Sequence, residues 1–288
     1  MLKTLSLAAM GLRGRGIEES IDIAAASGFD AITFDIAEAE TIANDRGVDW
    51  LRERFALAGV KPGYWGLPFQ WTNDEALASG VAALPHQLEV AEAIGCNIVA
   101  SGIPWGSDDL PYEENLPIHV EKMKAVADVL DASNSSLAVE FIGPKTLRAR
   151  NRFEFVYSLE RLLEFKAGVG SRRIGATLDI WHLYTAGESN DAIDALTPED
   201  VVVVHVNDAP VGIPRDEQQD LVRALPLETG VLDIIDFMQR LQRIGFNGPV
   251  MPEPFSASLD ELAARDVRAA ATKLGDSMRL LWERSGLA

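Results

Sequence analysis

The stretch Ala25-Ala26-Ser27-Gly28-Phe29-Asp30 carries the punctuation that decides the fold: a run of helix-forming residues stops at a glycine, and a short apolar strand follows. Glycine suits that place because the residue after a helix often takes a left-handed backbone, which penalises side chains with a Cβ. The same succession returns at Leu57-Ala58-Gly59-Val60, Ala93-Ile94-Gly95-Cys96-Asn97 and Arg243-Ile244-Gly245-Phe246-Asn247. Outward from these junctions, strands are expected over residues 4–10, 31–34, 61–65, 97–101, 136–141, 174–178, 201–206 and 249–251. Helices are expected over 17–27, 48–58, 74–94, 114–132, 152–167, 190–196, 231–244 and 259–284. Strand–helix alternation implies parallel strands with helical crossovers, and eight such units favour the α/β class as a closed (β/α)8 TIM barrel. The rival is an open doubly wound sheet, but Met10-Gly11-Leu12-Arg13-Gly14-Arg15-Gly16 lacks the dinucleotide spacing its first turn would need.

At 288 residues the chain fits one barrel domain across 1–288. Hydrophobic residues make up 47% and charged residues 24%, enough apolar material for a large core. Lys and Arg number 26 against 44 Asp and Glu, and the resulting charge of -18 repels polyanions, so nucleic acid is not an expected partner. The apolar start after Met1-Leu2-Lys3 is read as the first strand rather than a leader, since Arg13 and Arg15 follow at once without a small-residue cleavage pattern. No apolar run approaches the roughly 18 residues that span a bilayer. The lone Cys96 reads as a buried thiol. A cytoplasmic location with no membrane partner is therefore expected, and self-association as a homo-oligomer is left open.

Two segments are longer than connections require, 104–116 after the fourth strand and 208–230 after the seventh, both on the barrel face where active sites form. Four strand ends then carry ligand-type side chains: Leu137-Ala138-Val139-Glu140, Ala176-Thr177-Leu178-Asp179, Val203-Val204-His205 and Pro249-Val250-Met251-Pro252-Glu253. Charges in apolar strands cost several kcal/mol each unless partnered, and a shared cation supplies a partner. Taken singly, each residue has an ordinary reading. Asp179 can cap a helix, Glu140 or Glu253 can meet an arginine, and His205 can be a hydrogen-bonded core histidine. At equivalent places in successive units, the four favour one divalent metal ion. Three carboxylates and an imidazole suit Mn, Mg or Co, with Zn and Fe also open. Trp65, Trp71, Trp105 and Trp181 lie at or just beyond strand ends, where they can stack on a sugar ring or simply pack, and Trp105 is carried forward as a substrate contact. His86, His119 and the acidic segment 38–40 read as ordinary surface or packing features.

Val139-Glu140-Phe141-Ile142-Gly143-Pro144, Leu178-Asp179-Ile180-Trp181-His182, His205-Val206-Asn207-Asp208 and Glu253 resemble motifs of the xylose isomerase-like TIM-barrel superfamily. Within it the closest likeness is to the sugar phosphate isomerase/epimerase group, especially inosose isomerases and ketose 3-epimerases. The resemblance covers most of the chain and is concentrated from the fifth strand onward. It implies Glu140, Asp179, His205 and Glu253 as metal ligands, the same four, and adds His182 and Arg223 as substrate contacts. Arg223 precedes Pro226 as the family's arginine precedes a Pro-Gly-x-Gly turn, although the turn here reads Pro226-Leu227-Glu228-Thr229-Gly230 and Arg215 is an alternative. Family epimerases carry a second glutamate six residues after the first. Thr146 stands there, so Lys145 is expected to replace it as a polyol contact.

A divalent cation on a ketone oxygen and an adjacent hydroxyl acidifies the carbon between them and stabilises the enediolate. Glu140 and Glu253 are the expected catalytic pair, one taking the proton and the other returning it. Return from the opposite face gives epimerisation, return to the neighbouring carbon gives isomerisation, and loss of a β-hydroxyl gives dehydration. The expectation is a metal-dependent isomerase or epimerase acting on a sugar, keto-polyol or inosose, with an inosose-type dehydratase as the alternative. A metal-dependent phosphodiesterase ranks last, because it needs more ligands and a basic groove. A binding protein without catalysis would not need two glutamates and His182 at the ion.

Overall fold

Strand β1 (Leu2–Leu5) pairs on one side with β2 (Ala31–Phe34) and on the other with the last strand, β8 (Pro249–Pro252), and this closure rules out the open sheet. The computed structural model describes residues 1–287. Among them, eight parallel strands close the barrel in chain order, with β3 (Lys61–Gly66), β4 (Ile98–Gly102), β5 (Ser136–Glu140), β6 (Ile174–Asp179) and β7 (Val201–Val206) between. Helices α1 (Ile17–Ala26), α2 (Ile36–Arg46), α3 (Val48–Ala58), α4 (Asp74–Ala93), α5 (Tyr112–Ala132), α6 (Lys145–Arg148), α7 (Leu159–Val169), α8 (Ile180–Ala186), α9 (Ile234–Arg243), α10 (Ala257–Arg265) and α11 (Val267–Ser285) make the crossovers and the outer layer. The four junction glycines, Gly28, Gly59, Gly95 and Gly245, all have φ between 67° and 95°, as the punctuation requires.

Several boundaries differ from expectation for local reasons. The first strand stops at Leu5, and Ala8–Met10 turns as a 3-10 helix ended by Gly11 in the left-handed region. Segment 36–46 is a helix capped by the Asp35 carboxylate. Residues 190–195 form a 3-10 helix instead of an α-helix. Helix α7 starts only at Leu159, because Phe153–Glu154 pairs antiparallel with Gly106–Ser107. The expected C-terminal helix is two, since Asp266 breaks it and caps α11.

Side chains alternate along a strand, so every second residue of a barrel strand faces the axis. Tyr64, Ala138, Val203 and Met251 meet there in a small apolar floor, apart from the larger core between strands and helices. Two residues further along their strands stand Glu140, His205 and Glu253, and Asp179 is paired in register with His205. The alternation that builds the floor therefore also lifts the four ligand-type side chains onto one face. Cys96 is buried and its thiol is pushed up to about 12 by desolvation. No helix among the described residues is long and apolar enough to cross a membrane.

Candidate metal centre

One donor atom from each of Glu140, Asp179, His205 and Glu253 lies within 4.8 Å of all the others. His205 Nδ1 is 2.9 Å from Glu140 Oε1 and 3.5 Å from Glu253 Oε2. Donors bound at about 2.0–2.3 Å to one cation stand at most roughly 4.6 Å apart, so small side-chain adjustments let these four share an ion. Charge fits as well. The three clustered carboxylates have one guanidinium among them, Arg223, which pairs with Asp179 and Glu253 and leaves negative charge for a divalent cation to neutralise. The Glu140 and Glu253 side chains keep 20% and 16% exposure while Asp179 keeps none, so substrate can approach the glutamates but not the aspartate.

Asp179 closes β6 and opens α8. Its Oδ1 accepts the backbone N–H of Trp181 at 2.7 Å and the Asn207 amide at 3.2 Å, while Oδ2 takes Arg223 Nη1 at 2.7 Å. Burial alone would raise its pKa, but Arg223 and the neighbouring histidines outweigh it and hold the carboxyl below its ordinary range. Arg223 also reaches Glu253 at 3.0 Å and Asp220 at 3.1 Å, with its guanidinium over the rings of Trp181 at 4.5 Å and Phe255 at 5.0 Å. The ordinary readings of Asp179 as a cap and Glu253 as an arginine partner are thus both present, alongside the cluster. They orient the same carboxylates that face His205.

His182, in the first turn of α8, is buried and accepts the Gly143 N–H at Nδ1 at 3.2 Å, with Arg223 Nη2 lying 3.1 Å from Nε2. Burial, reinforced by Arg223 and opposed by Asp179, pushes its pKa down to about 4, so the ring is neutral. The approach demands glycine at 143, where a Cβ would stand 2.1 Å from the His182 carbonyl oxygen. Glu140 is raised by burial and by Glu253 and Asp179, against the pull of His205. For His205 burial opposes the charged form, but Tyr64, Glu140 and Glu253 together prevail and raise it well above the usual histidine value.

The remaining expected residues divide. Lys145 Nζ pairs with Asp216 Oδ2 at 2.9 Å at an exposed position, and Thr146 Oγ1 donates to the Gln218 carbonyl at 2.7 Å. The loop after β5 is therefore strapped to the segment after β7, and the Lys145 ammonium is taken by an aspartate of that strap. Arg215 lies in the strap beside Asp216, whereas Arg223 reaches the ligand carboxylates. Leu227, where the family's turn has glycine, keeps the left-handed backbone with φ 66°. Trp65, Trp71 and Trp181 are buried, whereas the more open Trp105, with the edge of Trp71, lines a cavity of about 450 Å3 with Phe69, Ile103 and Ile142 beside the end of β5. His119 packs against Trp71 and Phe155, and His86 is exposed.

Three contributors went unassigned in the sequence. Tyr64 Oη lies 3.0 Å from His205 Nε2. Asn207 holds Asp179, and the buried Asp208 carboxylate accepts the backbone N–H groups of Thr229, Gly230 and Leu232 and so folds the segment carrying Arg223. The His-x-Asn-Asp spacing marked the last two as a segment without their separate roles; nothing local marked Tyr64.

Comparison with known proteins follows the same lines. A search of curated proteins by sequence gives no match. Among solved structures, a xylose isomerase domain protein from Alicyclobacillus acidocaldarius superposes with a TM-score of 0.86 at 24% identity, covering 99% of each chain. The IolI protein, solved with a zinc atom, gives 0.79 at 18% identity, covering 99% of this chain and 98% of that one. D-psicose 3-epimerase from Clostridium cellulolyticum H10, solved with D-tagatose, gives 0.75 at 14% identity over 99% of each. At such identities these likenesses speak for the fold alone. The family model described as xylose isomerase-like TIM barrel matches residues 21–281, a span that takes in β2 to β8 with all four clustered side chains. The chain therefore belongs to the xylose isomerase-like TIM-barrel family.

Proposed function

We propose that the protein is a divalent-metal-dependent isomerase or epimerase of a sugar, keto-polyol or inosose, with Glu140 and Glu253 as its proton carriers. The observation that carries this reading is the pair of partly open carboxylates beside His205 Nδ1, at 2.9 Å and 3.5 Å, supplied by two separate strands with Asp179 sealed behind them. Glu140, Asp179, His205 and Glu253 would hold one Mn, Mg, Co or Zn ion. Such an ion supplies Lewis acidity toward a ketone oxygen and the neighbouring hydroxyl. That one fold relative is solved with zinc and another is named an epimerase adds support.

The chain's own groups do the rest. Glu253 takes the proton on the carbon beside the ketone, and Glu140, whose burial favours its protonated form, returns one to the opposite face or to the next carbon of the enediolate. Arg223 keeps Asp179 ionised and sets a fixed positive charge behind the carboxylates, and the neutral His182 ring backs its guanidinium at 3.1 Å. Both side chains are closed to solvent, so they act on substrate through the carboxylates and not by direct contact. Trp105, with Phe69 beside it, forms an apolar wall on which the C–H face of a polyol ring rests. Lys145 contributes by holding the strap through Asp216. The whole chain 1–288 acts as one domain in this reading.

A panel of ketohexoses and inososes in deuterium oxide tests it by proton NMR and mass spectrometry. The expected product carries solvent deuterium at one carbon and has otherwise unchanged mass. Loss of one water from the best substrate would instead establish a dehydratase and overturn the isomerase assignment.

A further inference from the structure

Tyr64 stands on β3 at the barrel axis, beneath the candidate metal centre and sealed from solvent. Its hydroxyl lies 3.0 Å from His205 Nε2 and 2.9 Å from Met251 Sδ. A phenol has one proton, and a thioether has none to give, so the close approach to Sδ is attractive only when the hydroxyl donates to sulfur. The Oη lone pairs then face Nε2, which must carry a proton of its own to complete the second hydrogen bond. With a proton held on Nε2, the lone pair open to a cation is the one on Nδ1, once the proton that Nδ1 shares with Glu140 in the metal-free chain has left. Nδ1 is the nitrogen that faces Glu140 and Glu253.

We propose that Tyr64, with its proton directed at Met251, selects the Nε2–H tautomer of His205 and fixes the ring so that Nδ1 is the metal donor. The inference rests on the metal reading above and assigns Tyr64 as a positioning residue that touches neither substrate nor reacting atoms. Metal-ligating histidines usually pass their second N–H to a carboxylate, a carbonyl or water. Here the acceptor is a neutral phenol backed by a thioether, so the ring is oriented without a further negative charge below a site already crowded with carboxylates. The arrangement depends on strands far apart in the chain, β3 for the phenol, β7 for the imidazole and β8 for the sulfur.

The test uses full-length protein stripped of metal and titrated with zinc against a competing chelator, followed by long-range proton–nitrogen spectra of the histidine rings in the zinc form. The parent should bind zinc through His205 Nδ1, with a slowly exchanging Nε2 proton. Tyr64→Phe should weaken zinc binding by about 10–100-fold, the usual scale for losing such an outer partner, and speed exchange of that proton. Met251→Leu keeps the phenol and nearly conserves core volume, but it frees the hydroxyl proton to turn toward Nε2 and oppose the binding tautomer. It should weaken zinc binding as well, which a packing role for Tyr64 does not anticipate, and it keeps the test alive should Tyr64→Phe fail to fold. Parent affinity and parent ring spectra in both variants, or coordination through Nε2 in the parent, overturns the Tyr64 assignment alone. Failure of the parent to bind zinc, or undiminished binding in His205→Ala, overturns the metal reading and this inference together.

Discussion

Arg223 Nη1 lies 2.7 Å from Asp179 Oδ2 with both side chains closed to solvent, so one permanent positive charge is locked behind the clustered carboxylates. Removing one member of such a buried pair leaves the other uncompensated, at a cost of about 3–5 kcal/mol. Arg223→Ala should lose about that much stability in chelator and clearly less in excess manganese, which substitutes for the missing charge. Arg223→Lys should recover only part, because an ammonium cannot bridge two carboxylates while lying flat against Trp181 and Phe255. Urea unfolding under both conditions measures the difference, and equal losses with and without metal would separate Arg223 from the ion.

Elemental analysis of the purified protein should find about one divalent ion per chain. Asp179→Ala and His205→Ala should each lose most of it. Retention of parent-level metal in both would remove these residues from the ligand set.

Glu253→Gln keeps the shape of the side chain and abolishes its basicity. Turnover should fall by about two to four orders of magnitude with substrate binding largely kept, the pattern of a lost general base. A variant that turns over at near-parent rate excludes Glu253 as proton carrier, and calorimetric binding of the substrate separates this from misfolding.

The pH dependence of stability gives a further handle. His182 titrates near 4 in the folded chain and near 6.5 when unfolded, so between these values the unfolded chain takes up a proton that the folded one refuses. Stability should therefore fall as the pH drops from about 6.5 toward 4, by at most about 3 kcal/mol from this group. His182→Gln, which has no such proton to gain, should show a flatter profile over the same window in metal-free protein. Parallel profiles for parent and variant would contradict the buried neutral ring.

The cluster of four was legible because each strand end reads as an apolar run followed by one charged or imidazole side chain, and alternation decides that such a residue faces the axis. Closure was legible from the repeated helix–glycine–strand junctions. Helix α2 was not, since Ile36 and Ala39 are its buried residues and its acidic face imitates a solvated loop. Helix α8 runs for seven residues directly out of β6, too short for period 3.6 to separate it from a continuing strand. Tyr64 could not be found locally at all, because its partner lies 141 residues away and meets it only when the barrel closes. Lys145 is marked in the sequence only by its place beside Thr146, and its pairing with Asp216, 71 residues on, emerges only in the fold.

The clustered carboxylates and imidazole all come from residues 140–253, while Phe69, Trp71, Ile103 and Trp105 of the neighbouring cavity come from the first half of the chain. In the proposed function, chemistry and selectivity are thus written largely in different stretches of the gene product, with Ile142 and Asn151 of the cavity as the overlap. Loops following β3 and β4 can be exchanged for those of another barrel, or randomised, without disturbing the residues that face His205. Under the proposed function, such grafts are a route to redirecting the protein toward a different polyol while the four clustered side chains are inherited unchanged.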